Sequence, residues 1–129
     1  MKQLRVLLAK VGLDSHDRGV LYIAKALRDK GIEVIYAGLH QTPSQVVSIA
    51  IQEDVDVIGL SFLSASHMGL TEKVMSGLKT RHAEDKMVLV GGVIPIADIP
   101  RLLSLGVAEV FPSGTSIERI ADFFQSVEK

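Results

Sequence analysis

Asp14 and His16 carry the chemistry that the sequence most clearly offers, since a carboxylate stands two residues before an imidazole in segment 14–19, Asp-Ser-His-Asp-Arg-Gly. An apolar run, residues 4–9, leads into this segment, and a helical pattern begins near Gly19. A carboxylate at this spacing can accept a proton from one ring nitrogen, which fixes the tautomer and makes the other nitrogen a better metal donor. The spacing indicates a metal ligand at His16; a solvated polar loop is the alternative for so short a motif.

The elements that must position this segment are indicated by five apolar, β-branched-rich runs that alternate with helical periodicity. The runs, each predicted as a strand, are residues 5–9, 33–37, 55–61, 87–90 and 109–111. The first helix is predicted over 20–27, with Gly31 as its stop, and the second begins after Thr42 as N-cap, with Pro43 at the first helical position. The third is predicted over about 67–79 and the fourth over about 96–105, with Gly106 as its stop. The fifth begins at Thr115 or Ser116.

Strict alternation of strands and helices with short connections predicts an α/β protein with a parallel sheet covered by helices on both faces. The strands are nearly continuous hydrophobic runs, as strands buried on both sides should be. Five such units fit a flavodoxin-like (Rossmann-like), doubly wound five-stranded parallel sheet with strand order 2-1-3-4-5. In such sheets ligands bind beyond the carboxyl ends of the strands, near the switch point between strands one and three.

Small and polar residues follow four of the predicted strands and therefore converge on one edge of the sheet. His16 follows strand one, Ser61 closes strand three, Gly91-Gly92 follows strand four and Gly114-Thr115 follows strand five. Glycines and serines let a bulky partner approach the backbone closely, so the edge suits a large metallocofactor with an appended tail. Each motif also has an interpretation without a ligand. Gly91-Gly92 can be an ordinary strand-to-helix turn, and Gly114-Thr115 can be the start of helix five, with the threonine as its cap.

Composition excludes several classes of protein. The 129 residues are predicted to form one domain, 1–129, and with a net charge of −1 and no basic tract we expect no nucleic-acid partner. The absence of cysteine excludes disulfides and thiolate metal sites, and no segment is apolar enough to span a bilayer, so we expect a soluble, cytoplasmic protein. Dinucleotide-binding, P-loop and nucleophile-elbow motifs are missing, and strand three ends in Ser61 instead of the aspartate of a phosphoacceptor domain.

The three separated motifs resemble the signature of cobalamin-binding domains. They are Asp14-x-His16-x-x-Gly19, Ser61-x-Leu63 and Gly91-Gly92, in the order and at the strand ends that this family requires. The resemblance covers essentially the whole chain. Segments 7–14, 41–43 and 91–95 make it most similar to the small subunit, or C-terminal domain, of adenosylcobalamin-dependent acyl-CoA mutases of the methylmalonyl-CoA and 2-hydroxyisobutyryl-CoA types.

This resemblance implies a base-off, His-on site in which His16 replaces the cofactor's dimethylbenzimidazole as the lower ligand of cobalt, through Nε2. Asp14 would accept the hydrogen bond from the other ring nitrogen. The remaining implied cofactor contacts are Ser15, Asp17, Arg18 and Gly19 at the corrin, Ile23, Ser61, Leu63, Gly91 and Gly92 along the nucleotide tail, and Phe111, Gly114 and Thr115 near the tail's end. The usual motif has glycine where this chain has Ser15, and some relatives have glycine at Ala65, which affects local contacts only.

The function implied is that of the cobalamin-binding small subunit of an isomerase, an adenosylcobalamin-dependent acyl-CoA mutase that rearranges a carbon skeleton through radicals. No residue of this chain is expected to be catalytic. We expect a large partner subunit that binds the acyl-CoA, a heterotetramer of two large and two small chains, and no turnover by the small chain alone. The alternatives are a corrinoid methyl carrier or a non-enzymatic B12 sensor, but such proteins usually carry extra helical or DNA-binding segments, and strand one begins here within the first few residues.

Three further histidines, His40, His67 and His82, lack a carboxylate at the spacing of Asp14 and His16. We expect them to lie at the surface or in loops. His67 is the strongest candidate among them for a site residue, because it follows strand three.

Overall fold

Five parallel strands form one sheet in the order β2-β1-β3-β4-β5 in the computed structural model, which describes residues 4–10, 18–37, 41–62, 67–112 and 114–127. The strands are β1 (Arg5–Lys10), β2 (Glu33–Tyr36), β3 (Val57–Phe62), β4 (Met87–Gly92) and β5 (Glu109–Pro112). The helices are α1 (Arg18–Asp29), α2 (Pro43–Gln52), α3 (His67–Thr80), α4 (Ile99–Ser104) and α5 (Ile117–Val127), with a short 3-10 turn, Ile96–Asp98, before α4. The predicted flavodoxin-like fold and its strand order are confirmed.

Two apolar cores lie on the two faces of the sheet. Helices α2, α3 and α4 pack on one face through residues such as Val47, Val74 and Leu102, and helices α1 and α5 pack on the other through residues such as Leu27 and Phe124. Because side chains alternate along a strand, each internal strand supplies both cores, which explains why the strands are continuous apolar runs. None of the helices in the described ranges is long and apolar enough to cross a membrane.

Helix α2 begins with a complete capping box. The Thr42 hydroxyl accepts a hydrogen bond from the Gln45 backbone N–H at 3.1 Å, and the Gln45 side-chain oxygen accepts one from the Thr42 N–H at 2.8 Å. Pro43 occupies the first helical position, where its missing N–H is not needed. The N-cap that the sequence predicts at Thr42 is confirmed.

We expect Thr42→Ala to lower the free energy of unfolding by about 1 kcal/mol, because the helix loses a side-chain acceptor for an N–H that has no intrahelical partner. Urea denaturation measures the change. Ser44→Ala is the matched control, since it removes an exposed hydroxyl from the first turn of the same helix, and we expect it to stay within about 0.5 kcal/mol. Equal losses in the two variants would show that the capping box contributes nothing.

The predicted helix over 96–105 is wrong in its first turn. Pro100 has no N–H and cannot donate to the Ile96 carbonyl, so the regular α-helical pattern cannot start there. Residues 96–98 instead form a 3-10 turn in which the Asp98 N–H donates to the Pro95 carbonyl at 2.9 Å, and α4 begins at Ile99.

Strand β3 begins two residues later than the apolar run predicts. Val55 is buried, but its N–H donates to the Ala50 carbonyl at the end of α2, which keeps it in the turn. The Asp56 carboxylate accepts the Arg5 backbone N–H at 3.0 Å and closes the edge of the sheet opposite the predicted ligand site.

Candidate functional site

The carboxyl ends of β1, β3, β4 and β5 meet in register at one edge of the sheet. Ser61 of β3 pairs with Lys10 of β1 on one side and with Gly91 of β4 on the other, and Gly91 in turn pairs with Phe111 of β5. Paired residues of parallel neighbours point to the same face. These four residues therefore form one row across the sheet, on the face that α1 and α5 cover.

A cavity of about 200 Å³ opens between this edge of the sheet and helices α1 and α5. Its lining includes Leu8, Gly59, Ser61, Leu89, Gly91, Gly92, Phe111 and Pro112 from the sheet, Val20 and Ile23 from α1, Ile120 and Phe124 from α5, and Gly114 and Thr115 from the connection before α5. No charged side chain belongs to the lining within the described ranges. The cavity can thus hold an elongated group by van der Waals contact and hydrogen bonds to hydroxyls and backbone, and it offers no acid–base pair.

Two glycines in the central strands form the floor of the cavity. Gly59 lies in a row with Leu8 and Leu89, directly behind the row that contains Gly91. A Cβ at Gly59 would come within 2.7 Å of Leu8 Cδ2, and a Cβ at Gly91 would lie 3.4 Å from the Phe111 carbonyl oxygen. Side chains at these two positions would fill the trough, so the cavity depends on their absence.

Gly92 has a different role from Gly91. Its φ of +113° is one that L side chains rarely adopt, and a Cβ there would overlap the Phe62 carbonyl oxygen. Immediately after it, the Val93 N–H donates to the same Phe62 carbonyl at 2.9 Å. The ends of β3 and β4 therefore approach so closely that only glycine fits at position 92.

Phe111 closes the far end of the cavity and is held by α5. Its ring packs edge-on against Phe123, with centroids 5.6 Å apart, and the Arg119 guanidinium lies 5.8 Å from the centre of the same ring. The residue is 7% exposed. These aromatic and cation contacts hold the Phe111 ring in place.

The connection from β5 to α5 shows that the threonine-cap interpretation is wrong. The Thr115 hydroxyl donates to the Pro112 carbonyl, so it closes a local turn beside the cavity. Ser116 provides the cap instead, because its Oγ accepts the Arg119 backbone N–H at 3.1 Å. Thr115 is thereby left at the mouth of the cavity.

The structure brings half of the predicted cofactor contacts together around this cavity. They are Ile23, Ser61, Gly91, Gly92, Phe111, Gly114 and Thr115. Arg18 and Gly19 form the first turn of α1. Asp14, Ser15, His16, Asp17 and Leu63 lie outside the described residues, and so does His40, so the metal-ligand prediction for His16 stays a prediction. Within the described ranges no cluster of three or more histidines or carboxylates could hold a metal ion.

Sequence reasoning missed Gly59 and the apolar lining of Leu8, Val20, Leu89, Ile120 and Phe124. Gly59 carried a usable signal, because a glycine inside an otherwise β-branched strand often marks a close approach of a ligand or another backbone. The apolar residues gave no such signal, because the wall of an apolar cavity and a hydrophobic core have the same amino-acid composition.

One histidine was assigned wrongly. His67 is buried, and its Nε2 lies 2.7 Å from Asp98 Oδ2, so it is neither a surface nor a loop residue. His82 is exposed in a turn with φ of 58°, as expected. The error arose because the partner carboxylate of His67 is 31 residues away in sequence, where local spacing gives no indication of it.

Comparison with known proteins identifies the family. The model of the B12 binding domain matches residues 4–121. The chain is 51% identical over 124 residues to the 2-hydroxyisobutanoyl-CoA mutase small subunit of Aquincola tertiaricarbonis, covering 96% of this chain and 91% of that protein. It is 44% identical over 121 residues to the pivalyl-CoA mutase small subunit of Xanthobacter autotrophicus, covering 94% of this chain and 81% of that one.

A solved structure shares the fold. A cobalamin-binding protein from Desulfitobacterium hafniense superimposes with a TM-score of 0.86 at 20% identity, over 99% of this chain and 60% of that one. The resemblance drawn from the three motifs is confirmed by the family match and the two relatives. The chain belongs to the B12-binding domain family, in the group that contains the small subunits of acyl-CoA mutases.

Proposed function

We propose that the chain is a single cobalamin-binding domain acting as the small subunit of an adenosylcobalamin-dependent acyl-CoA mutase in the cytoplasm. The observation that carries the proposal is the glycine-floored cavity at the carboxyl edge of the sheet, whose lining contains the Ser61 and Gly91-Gly92 elements of the family signature. High identity to small subunits of two mutases supports the assignment to this branch.

The residues of the cavity fit a nucleotide tail. The trough above Gly59 and Gly91 is empty of side chains and apolar at its walls, which suits a flat base packed between the sheet and a helix. Ser61 and Thr115 add hydroxyls at its edge, where ribose and phosphate oxygens need hydrogen-bond partners. A Cβ at Gly59 or Gly91 would narrow the space that the tail is proposed to occupy.

In this proposal His16 ligates cobalt through Nε2, and Asp14 accepts the hydrogen bond from the other ring nitrogen, which holds the imidazole in one tautomer and raises its basicity. When bound, adenosylcobalamin would supply a weak cobalt–carbon bond as the source of the radical that the rearrangement needs. The residues of this chain bind and orient the cofactor, and they do not handle the substrate.

A large subunit is proposed to bind the acyl-CoA and to cover the upper face of the cofactor, in an assembly of two large and two small chains. The naming of the two relatives as small subunits supports such a partner.

We expect acyl-CoA rearrangement only when this chain, a mutase large subunit and adenosylcobalamin are combined. The assay follows product by chromatography for 2-hydroxyisobutyryl-, pivalyl- and methylmalonyl-CoA, with methylcobalamin as the matched cofactor control. Gel filtration of the mixture reports the complex. Turnover by the small chain alone would overturn the proposal. Transfer of the methyl group of methylcobalamin to an added thiol, without rearrangement of any acyl-CoA, would also overturn it and would make the chain a methyl carrier.

A further inference from the structure

His67 and Asp98 form a side-chain contact beyond the ends of β3 and β4, on the face of the sheet opposite the cavity, and the proposed binding of cofactor does not use it. His67 is the first residue of α3, its side chain is 4% exposed, and its Nε2 lies 2.7 Å from Asp98 Oδ2. Asp98 ends the 3-10 turn before α4, and its side chain is 21% exposed. A hydrogen bond of this length from an imidazole N–H to a carboxylate is in the charge-assisted class.

This contact is what fixes the imidazole. His67 Nδ1 is buried and has no hydrogen-bond partner among the described residues, and the remaining ring contact is an edge-on approach to Phe62 with centroids 6.4 Å apart. The bond to Asp98 therefore sets the direction of Nε2 and ties α3 to the turn before α4. Removing the Asp98 carboxylate would break that link and leave a buried imidazole with no hydrogen-bond partner among the described residues.

The His67–Asp98 pair is a second link between the segments that follow β3 and β4. Phe62 and Val93 are linked by the 2.9 Å hydrogen bond from the Val93 N–H to the Phe62 carbonyl, immediately beyond Ser61 and Gly92. Helix α3 starts five residues after Phe62, and Asp98 lies five residues after Val93. The exits of β3 and β4 are thus tied together once at the strand ends and once at His67–Asp98.

We infer that His67 and Asp98 are a positioning pair, which holds the exits of β3 and β4 at the spacing that the cofactor's nucleotide tail requires. The inference rests on the proposed function, because the wall of the cavity formed by Ser61, Gly91 and Gly92 belongs to these two strand ends. Neither residue lines the cavity, so the pair acts through the backbone it fixes. The His67–Asp98 pair therefore increases the affinity for the nucleotide tail and does not affect the ligation of cobalt.

The test compares the affinity of the full chain for cobalamin with its affinity for cobinamide, which has the corrin ring but no nucleotide tail. Absorbance titrations give both dissociation constants for His67→Leu, Asp98→Ala and the double variant. We expect each single variant to bind cobalamin about tenfold more weakly, and cobinamide less than about twofold more weakly. The double variant should lose no more than Asp98→Ala, because that single variant already breaks the contact with His67, together with the 3.7 Å pairing of Asp98 Oδ1 with Arg101.

Conservative variants and a stability control separate positioning from folding. His67→Gln places an amide N–H near the position of Nε2 and should restore most of the cobalamin affinity, and Asp98→Asn keeps the volume and one acceptor oxygen and should lie between wild type and Asp98→Ala. Val55→Ala removes buried methyl groups at the opposite edge of the sheet and should lower the thermal midpoint without changing the ratio of the two dissociation constants.

Several results would overturn the inference. The first is that wild type prefers cobalamin to cobinamide and that His67→Leu and Asp98→Ala keep the wild-type ratio of the two dissociation constants. The second is that Val55→Ala loses as much of the preference for cobalamin as these two variants do. Additive losses in the double variant would also contradict a shared contact. A wild-type chain that binds neither compound would instead refute the proposed function, and the positioning role with it.

Discussion

Gly92→Ala is expected to lower the free energy of unfolding by about 3 kcal/mol or more, a large part of the roughly 5–15 kcal/mol that stabilises a typical domain. The methyl group would overlap the carbonyl oxygen of Phe62, which belongs to the backbone of the neighbouring strand and cannot rotate away. The φ of +113° adds a conformational cost that any L residue would bear. The ends of β3 and β4 must therefore separate, and the hydrogen bond from Val93 to Phe62 would be lost with them.

Two further glycines make matched controls, measured by urea denaturation. Gly114 has φ of +93°, and no described residue beyond its chain neighbours has an atom within 4 Å of the place where a Cβ would stand, so Gly114→Ala reports the backbone cost alone, about 1 kcal/mol. Gly69 lies in α3, and outside its own helix the described residues likewise leave its Cβ position open, so Gly69→Ala should stabilise the protein by up to about 1 kcal/mol. A Gly92→Ala loss no greater than that of Gly114→Ala would contradict the overlap with Phe62.

His16→Ala is expected to have the largest effect on cofactor binding. It removes the proposed ligand of cobalt, so the absorbance spectrum of bound cobalamin should lose the features of imidazole ligation. Asp14→Ala leaves the ligand but removes the carboxylate that orients it, and should weaken cobalamin binding about 10- to 100-fold. His16→Ala should lose at least as much. Both dissociation constants are measurable by absorbance titration of the isolated chain.

The matched control is His82→Asn, since His82 is exposed in a turn and asparagine tolerates its positive φ of 58°. We expect cobalamin binding and spectrum to be unchanged by it. If His16→Ala bound cobalamin with the affinity and spectrum of wild type, the axial-ligand assignment would be wrong.

The fold could be predicted because its signals are local and repeated. Continuous apolar strands alternating with amphipathic segments leave few arrangements other than a doubly wound parallel sheet, and the Thr42-Pro43 cap located the start of α2 correctly. The errors lie where one residue overrides the pattern. Pro100 splits the predicted fourth helix, and the Val55 N–H bonds back to α2, which delays β3.

The site could be predicted only in part, for a physical reason. The carboxyl ends of parallel strands share one edge, so the sequence alone groups Ser61, Gly91-Gly92 and Gly114-Thr115, and the structure places them around one cavity. The His67–Asp98 contact could not, because it depends on how the connections after β3 and β4 fold back toward each other. The spacing of residues in the sequence predicts contacts within one turn or one strand, and it does not predict a tertiary contact between residues 31 positions apart.

Electron paramagnetic resonance of the Co(II) form bound to the chain tests the central claim most directly. The protein is labelled with ¹⁵N in its histidines, and the cofactor keeps natural-abundance ¹⁴N in its dimethylbenzimidazole. If the chain holds cobalamin base-off through His16, the nitrogen hyperfine pattern on cobalt changes from that of ¹⁴N to that of ¹⁵N upon labelling, and the ¹⁵N pattern disappears in His16→Ala. A pattern that remains that of ¹⁴N in the labelled protein would show that the cofactor's own base stays on cobalt, and would contradict the account.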